Sequence, residues 1–253
     1  MSLSRCSEAV AVVLLLVVAV APAAAVAADV TGLPQESQVG TDVRTQFTLT
    51  ELYADGSQEW TLQANTNLTA AQWTVEKRTL SGNVTRESYS GGSFTTRVAA
   101  NEDVESVVVT LAGTVPEVEN FTYDPPQTYQ FASFEKVVGD ANETITRESV
   151  HHYTNESRQA RQAIDSAGEA VDATSSDEAK RLLANAISAY DNGNFGNAID
   201  LAEQAEEAAR NRQQSNQRTQ LLLFGGIGIL VLALVGSGIY YYRSQQDDYD
   251  KLG

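Results

Sequence analysis

The chain has 253 residues, with 33 acidic against 17 basic side chains and a formal net charge of −16. A surface of that sign repels phosphates, so nucleic acid and anionic lipid headgroups are disfavoured as partners. The one cysteine, Cys6, lies ahead of the first apolar run and leaves the rest of the chain without disulfides, cysteine nucleophiles or cysteine metal ligands.

The N-terminal 27 residues have the layout of a secretory signal peptide. Arg5 precedes the apolar run Ala9 to Val20, and Pro22 leads into small residues in which Ala25 and Ala27 form an A-x-A cleavage site. The run is too short to cross ~30 Å of hydrocarbon. Glu8, close to Arg5, weakens the charge pattern and keeps a retained N-terminal anchor as the alternative. Residues 28–40 read as a linker.

From residue 41 to residue 150 threonine, valine and aromatic residues alternate with polar ones between turn signals, the pattern of an antiparallel β-sandwich. Val43, Phe47 and Leu49, then Asp55-Gly56, then Trp60 and Leu62, predict a β-hairpin over Val43 to Thr66. Further strands are expected at Gln72 to Leu80, Ser93 to Ala99, Glu105 to Thr114, Thr128 to Val138 and Glu143 to Val150, about seven in all. Five N-x-S/T sequons begin at Asn67, Asn83, Asn120, Asn142 and Asn155, ahead of the helical part, and mark glycosylation sites on an exported domain.

His151 and His152 are the only histidines. Adjacent residues point apart on a strand or helix, so the pair reads as an exposed linker and not as a metal site. No zinc-protease, calcium-loop, P-loop or nucleophile-elbow motif is present, and carboxylate pairs such as Glu117 with Glu119 read as solvated surface. No catalytic residue, cofactor site or metal ligand is therefore expected.

Residues 151–220 change to helical periodicity. Ala160, Ala163, Ile164, Ala167 and Val171 share one face; Ala179, Leu182, Leu183, Ala186, Ile187 and Tyr190 share another. Leu183 and Ile187 are expected in the core. Ser175 with Glu178 reads as a capping box opening the second helix. Gly193-Asn194 ends it, and Ala198, Ile199, Ala202, Ala205 and Ala209 line a third. Leu221 to Tyr242 is uncharged and long enough to span a bilayer, with Tyr240, Tyr241 and Tyr242 at the interface. Residues 243–253 would form a short cytoplasmic tail.

Three resemblances accompany these readings. The excess of acid, with only Lys77, Lys136, Lys180 and Lys251 as lysines, resembles the proteins of salt-loving archaea. Ala54-Asp55-Gly56-Ser57 followed by Glu59-Trp60-Thr61-Leu62 resembles the β-sandwich ectodomains of haloarchaeal membrane-anchored surface proteins, which implies a sandwich held outside the cell. Tyr190-Asp191-Asn192-Gly193-Asn194-Phe195-Gly196-Asn197-Ala198-Ile199 resembles the inter-helix corner of a tetratricopeptide-like hairpin, over one hairpin only.

The expectation from the sequence is an α+β, multi-segment, non-catalytic cell-surface protein. It would span the membrane once through Leu221 to Tyr242 and present a glycosylated acidic sandwich to envelope or protein partners. The alternative is an accessory or sensor subunit that docks through its helical bundle and membrane helix onto a transporter or signalling protein.

Overall fold

The computed structural model describes residues 25–215. The expected signal peptide, apart from its last three residues, the membrane segment Leu221 to Tyr242 and the tail lie outside the described residues. Among those described, no helix is long and apolar enough to cross a membrane.

A two-sheet, mostly β domain is followed by three helices. The strands are β1 (Ala27–Thr31), β2 (Glu36–Gln38), β3 (Asp42–Thr50), β4 (Glu59–Asn65), β5 (Thr69–Thr79), β6 (Val84–Ser90), β7 (Ser93–Ala99), β8 (Val104–Thr114), β9 (Thr128–Val138) and β10 (Ala141–Tyr153). One sheet has the order β1-β3-β8-β5-β6 and the other β2-β10-β9-β4-β7. Every pairing is antiparallel except β2 with β10.

Period-two alternation supplies the core. Phe47 and Leu49 of β3, Trp73 and Val75 of β5, and Val107, Val109 and Leu111 of β8 meet Trp60, Leu62 and Ala64 of β4 and Phe134 of β9. Aromatic pairs cross between the sheets: Phe47 to Phe134 at 4.8 Å, Trp73 to Phe94 at 5.0 Å and Trp73 to Phe134 at 6.1 Å between ring centroids. Both indole N–H groups are satisfied, Trp60 donating to the Leu52 carbonyl and Trp73 to that of Gly91. Gly113 keeps the crossover close, since a Cβ there would meet the Leu68 Cβ at 3.0 Å and the Thr69 carbonyl oxygen at 3.1 Å.

Several expectations are corrected. β3 and β4 do not form a hairpin; they lie in different sheets. Each carries a row of large apolar side chains that must face an opposing sheet, and the connection, pinned by buried Leu52, carries the chain across. The expected linker 28–40 holds β1 and β2. These edge strands have little alternation of their own and gain their order from pairing with β3 and β10. β6 was not expected as a strand because its sequence, VTRESYS, buries no residue. The β domain ends at Tyr153 and not at Val150, because β10 runs through both histidines.

The helices are α1 (Asn155–Asp172), α2 (Asp177–Asp191) and α3, residues 195–215. Thr154 caps α1 in a reciprocal box with Ser157. α2 is capped by Ser176, whose side chain accepts from the Ala179 N–H, and not by the expected Ser175 and Glu178. Gly193, at φ +71°, makes the left-handed turn between α2 and α3. Contact among the helices runs through Ala160, Ile164, Ala167, Ala179, Ala186, Ala198, Ala202 and Ala205, all at most 1 % exposed. Leu183 and Ile187 are half-buried at its margin, contrary to expectation, because alanine lets the backbones approach and pushes longer side chains outward.

Candidate functional site

Strand direction places the loops at two ends. At the near end, where β10 leads into α1, lie the β4–β5 crossover (residues 66–68) and the long β8–β9 segment (residues 115–127). The far end holds the β3–β4, β5–β6, β7–β8 and β9–β10 connections.

The β8–β9 segment fastens the sandwich to the helices. Phe121 inserts edge-on against Phe195 at 4.7 Å and Tyr190 at 6.3 Å, and Tyr123 meets Tyr190 at 5.9 Å. The backbone N–H of Tyr123 donates to Asp191 Oδ1 at 2.7 Å, and its hydroxyl donates to Asp165 Oδ1 at 2.5 Å. Arg161 donates to the Tyr123 carbonyl and lies 4.6 Å over its ring. Burial, then the Asp165 carboxylate, pushes the Tyr123 phenol up to about 12, so it remains a donor at neutral pH. On the other side Arg158 of α1 donates to the Tyr153 hydroxyl at 2.8 Å and pairs with Glu36 of β2 at 3.2 Å.

Beside this junction is a cleft of about 500 Å³ between the crossover and the β8–β9 segment. Asn67, Glu117, Asn120, Gln127, Tyr129 and His152 are among its walls. His152 is 6 % exposed, which overturns the expectation of an exposed histidine pair; the alternation of β10 continues past Val150 and turns its imidazole inward. Its Nδ1 lies 3.3 Å from the Pro116 carbonyl oxygen, and its ring is 5.1 Å from that of Tyr129. Burial, the largest influence, holds the His152 pKa below its ordinary value despite the Pro116 contact, so the ring is neutral at neutral pH. His151 is half-buried, with Nδ1 2.8 Å from the Gln127 carbonyl oxygen. Gln127 braces both sides, donating to the His152 carbonyl at 2.9 Å and accepting from the Thr122 N–H at 3.2 Å.

All five sequon asparagines are exposed. Asn67 and Asn120 come together on the cleft. Asn83 stands on the β5–β6 turn and Asn142 is the second residue of β10, both at the far end, while Asn155 is the first residue of α1. The role of the cleft's inner wall was not legible in the sequence. The one available signal was the period-two step from Val150 to His152. Among the described residues, no group of three or more His, Cys, Asp or Glu side chains could hold a metal ion.

No family model matches the chain, and no curated protein does. Among solved structures it is similar to the sporulation control protein Spo0M from Bacillus subtilis (10% identity, TM-score 0.31, 56% of this chain and 55% of that one). It is also similar to a DUF4466 family protein from Parabacteroides merdae (14% identity, TM-score 0.30, 51% of this chain and 46% of that one). A third is the cohesin module of a Clostridium perfringens family 33 glycoside hydrolase (12% identity, TM-score 0.24, 52% of this chain and 99% of that one). The chain thus spans about half the length of the first two.

Proposed function

We propose that the chain is a non-catalytic, single-pass cell-surface protein. In this reading Leu221 to Tyr242 anchors it, and the helices hold a glycosylated acidic sandwich outward for interaction with envelope material or a protein partner. The observation that carries it is the junction. Phe121 and Tyr123 lock the sandwich onto α1, α2 and α3, so the helices act as a fixed pedestal and not as a loose tether. Exposure of all five sequon asparagines agrees with attachment of sugars to an exported domain. Protease added to cells stripped of their outer coat is expected to digest the part up to Gln220 and to spare a tag placed after Gly253. Full protection of the outer part would refute the topology.

A second reading, an accessory or sensor subunit, draws on the half-buried aliphatic margin of the helices: Leu182, Leu183, Ile187, Ile199 and Leu201. Their partly open apolar surface fits a partner better than it fits water. Purification from gently solubilised membranes separates the two. A stoichiometric integral-membrane partner that is lost on Leu183→Asp favours the accessory subunit; envelope material alone favours the surface protein.

A further inference from the structure

Two of the five sequons, far apart in sequence, open on one cleft. Asn67 comes from the β4–β5 crossover and Asn120 from the β8–β9 segment. Asn67 is set in place by its backbone N–H, which donates to the Gln130 carbonyl at 3.0 Å. Asn120 is two residues before Thr122, whose hydroxyl donates to the Pro125 carbonyl at 2.8 Å and whose N–H donates to Gln127. The inner wall between them holds His152, more than nine-tenths buried, with Nδ1 taken by the Pro116 carbonyl and Nε2 without a protein partner among the described residues. Nε2 is not one of the buried atoms left without a partner, so it opens on the water of the cleft and can exchange that water for another hydrogen-bonding group. The neutral imidazole, the Gln127 amide and the Tyr129 ring face are groups suited to hydroxyls and C–H faces of a neutral polyol, and the Glu117 carboxylate accepts hydroxyl protons.

We propose that this cleft seats the first sugar of a glycan joined to Asn67 or Asn120, so that a sugar hydroxyl replaces water at His152 Nε2 and the sugar braces the junction segment. The inference rests on the reading of the chain as a glycoprotein. In the attachment step the asparagine Nδ2 forms a bond to the anomeric carbon of an activated glycosyl diphosphate donor. The carbon–oxygen bond to the diphosphate breaks, the diphosphate leaves with the bonding pair, and the amide nitrogen loses one proton. Both asparagines already stand on the cleft's lining.

The cleft differs from the other three sequon positions in having a built interior. Asn83 is on the β5–β6 turn and Asn142 is near the start of β10, both at the far end, and Asn155 begins a helix whose sequon hydroxyl, Ser157, is already spent in the cap. A sugar at those three would project into solvent.

The test uses the full-length chain purified from its native membrane, with its two histidines selectively labelled with nitrogen-15. Mass spectrometry of glycopeptides is expected to find sugar at Asn67 or Asn120. The Nε2 resonance of His152 is expected to differ between the native protein, where a sugar hydroxyl is its partner, and the Asn67→Gln, Asn120→Gln double variant, where water is. The Asn83→Gln, Asn142→Gln double variant should leave it in place. These are exposed positions, so neither variant threatens folding. Sugar at Asn67 or Asn120 with an unmoved His152 resonance overturns the seat while leaving the glycoprotein reading intact. Sugar only at Asn83, Asn142 or Asn155 overturns it in the same way. Five bare asparagines overturn both.

Discussion

Lys136 and Lys77 are the sandwich's two lysines, and both are inside it. The Lys136 ammonium is 2.6 Å from Asp55 Oδ1 and lies over the Trp60 ring, with a side chain 3% exposed. Lys77 pairs with Glu87 at 2.9 Å. Burial pushes the Glu87 carboxyl up, but donors from Tyr89, Lys77 and Thr96 outweigh it and leave it below its ordinary value. The Lys77–Glu87 network plugs the side where β6 and β7, an edge strand of each sheet, come together. Asp55→Asn should leave the Lys136 charge buried without a counter-charge. The carboxylate is one-third exposed and partly screened by water, so the loss should be about 1–3 kcal/mol in chemical denaturation, below the ~3–5 kcal/mol of a fully buried pair. Lys136→Met, which removes the charge itself, should be neutral to within about 1 kcal/mol. The hydrogen bond from Lys136, then those from Ser57, hold the Asp55 carboxyl at about 2 against an ordinary 3.8. Between those values the unfolded chain binds the extra proton, so the contribution is full above 3.8 and is lost as pH falls through about 2. Asp55→Asn should therefore flatten that part of the acid-unfolding curve, and an unchanged curve would mean that the pair contributes nothing.

At the scale of elements, the helices separate two kinds of apolar residue that look alike in sequence. Ile164 is 1% exposed among alanines, whereas Leu183 is half-buried. Ile164→Ala should cost about 2–5 kcal/mol, and Leu183→Ala only about 1 kcal/mol, because part of its surface already meets water. Equal losses in urea titrations of the two variants would show that α2 packs differently. The same contrast explains what could be read in advance. Ser93–Ala99 and Thr128–Val138 were legible to the residue because each strand is flanked by turn residues and carries aromatic or β-branched side chains. β1, β2 and β6 were not, since their order comes from a neighbour's hydrogen bonds and leaves no apolar signature. The supposed β3–β4 hairpin failed because alternation reports which face is buried and says nothing about which sheet buries it. Of the cleft, the sequons were legible singly, but their meeting depends on crossovers between sheets that local sequence does not encode.

For the whole molecule, the junction and the charge make separable demands. If Phe121 and Tyr123 fasten two cores together, Phe121→Ala with Tyr123→Ala should split one calorimetric transition into two, for sandwich and helices. A single transition, merely lower, would place the coupling elsewhere. Charge acts on the molecule as a field. Residues 28–220 carry 29 acidic and 14 basic side chains, a net of −15, of which −11 lies before His151. The sandwich's lysines are turned inward, so arginine alone supplies positive charge on its surface, in pairs such as Arg97 with Glu59 at 2.7 Å. Repulsion among the remaining carboxylates reaches over a Debye length of ~10 Å at 0.1 M salt and ~3 Å at 1 M. The Lys136–Asp55 and Lys77–Glu87 pairs, buried at their ammonium ends and one-third exposed at their carboxylates, are screened less than the fully exposed carboxylates, so added salt should relieve repulsion faster than it weakens these pairs. The melting temperature should therefore climb steadily from about 0.1 to about 3 M potassium chloride. A sandwich with several exposed glutamates changed to glutamine should climb less over the same range. If both rise equally, the gain comes from strengthened apolar burial by the salt and not from relief of charge. If neither rises, acidic excess is no burden on this fold, and adaptation to a salt-rich medium loses its physical basis.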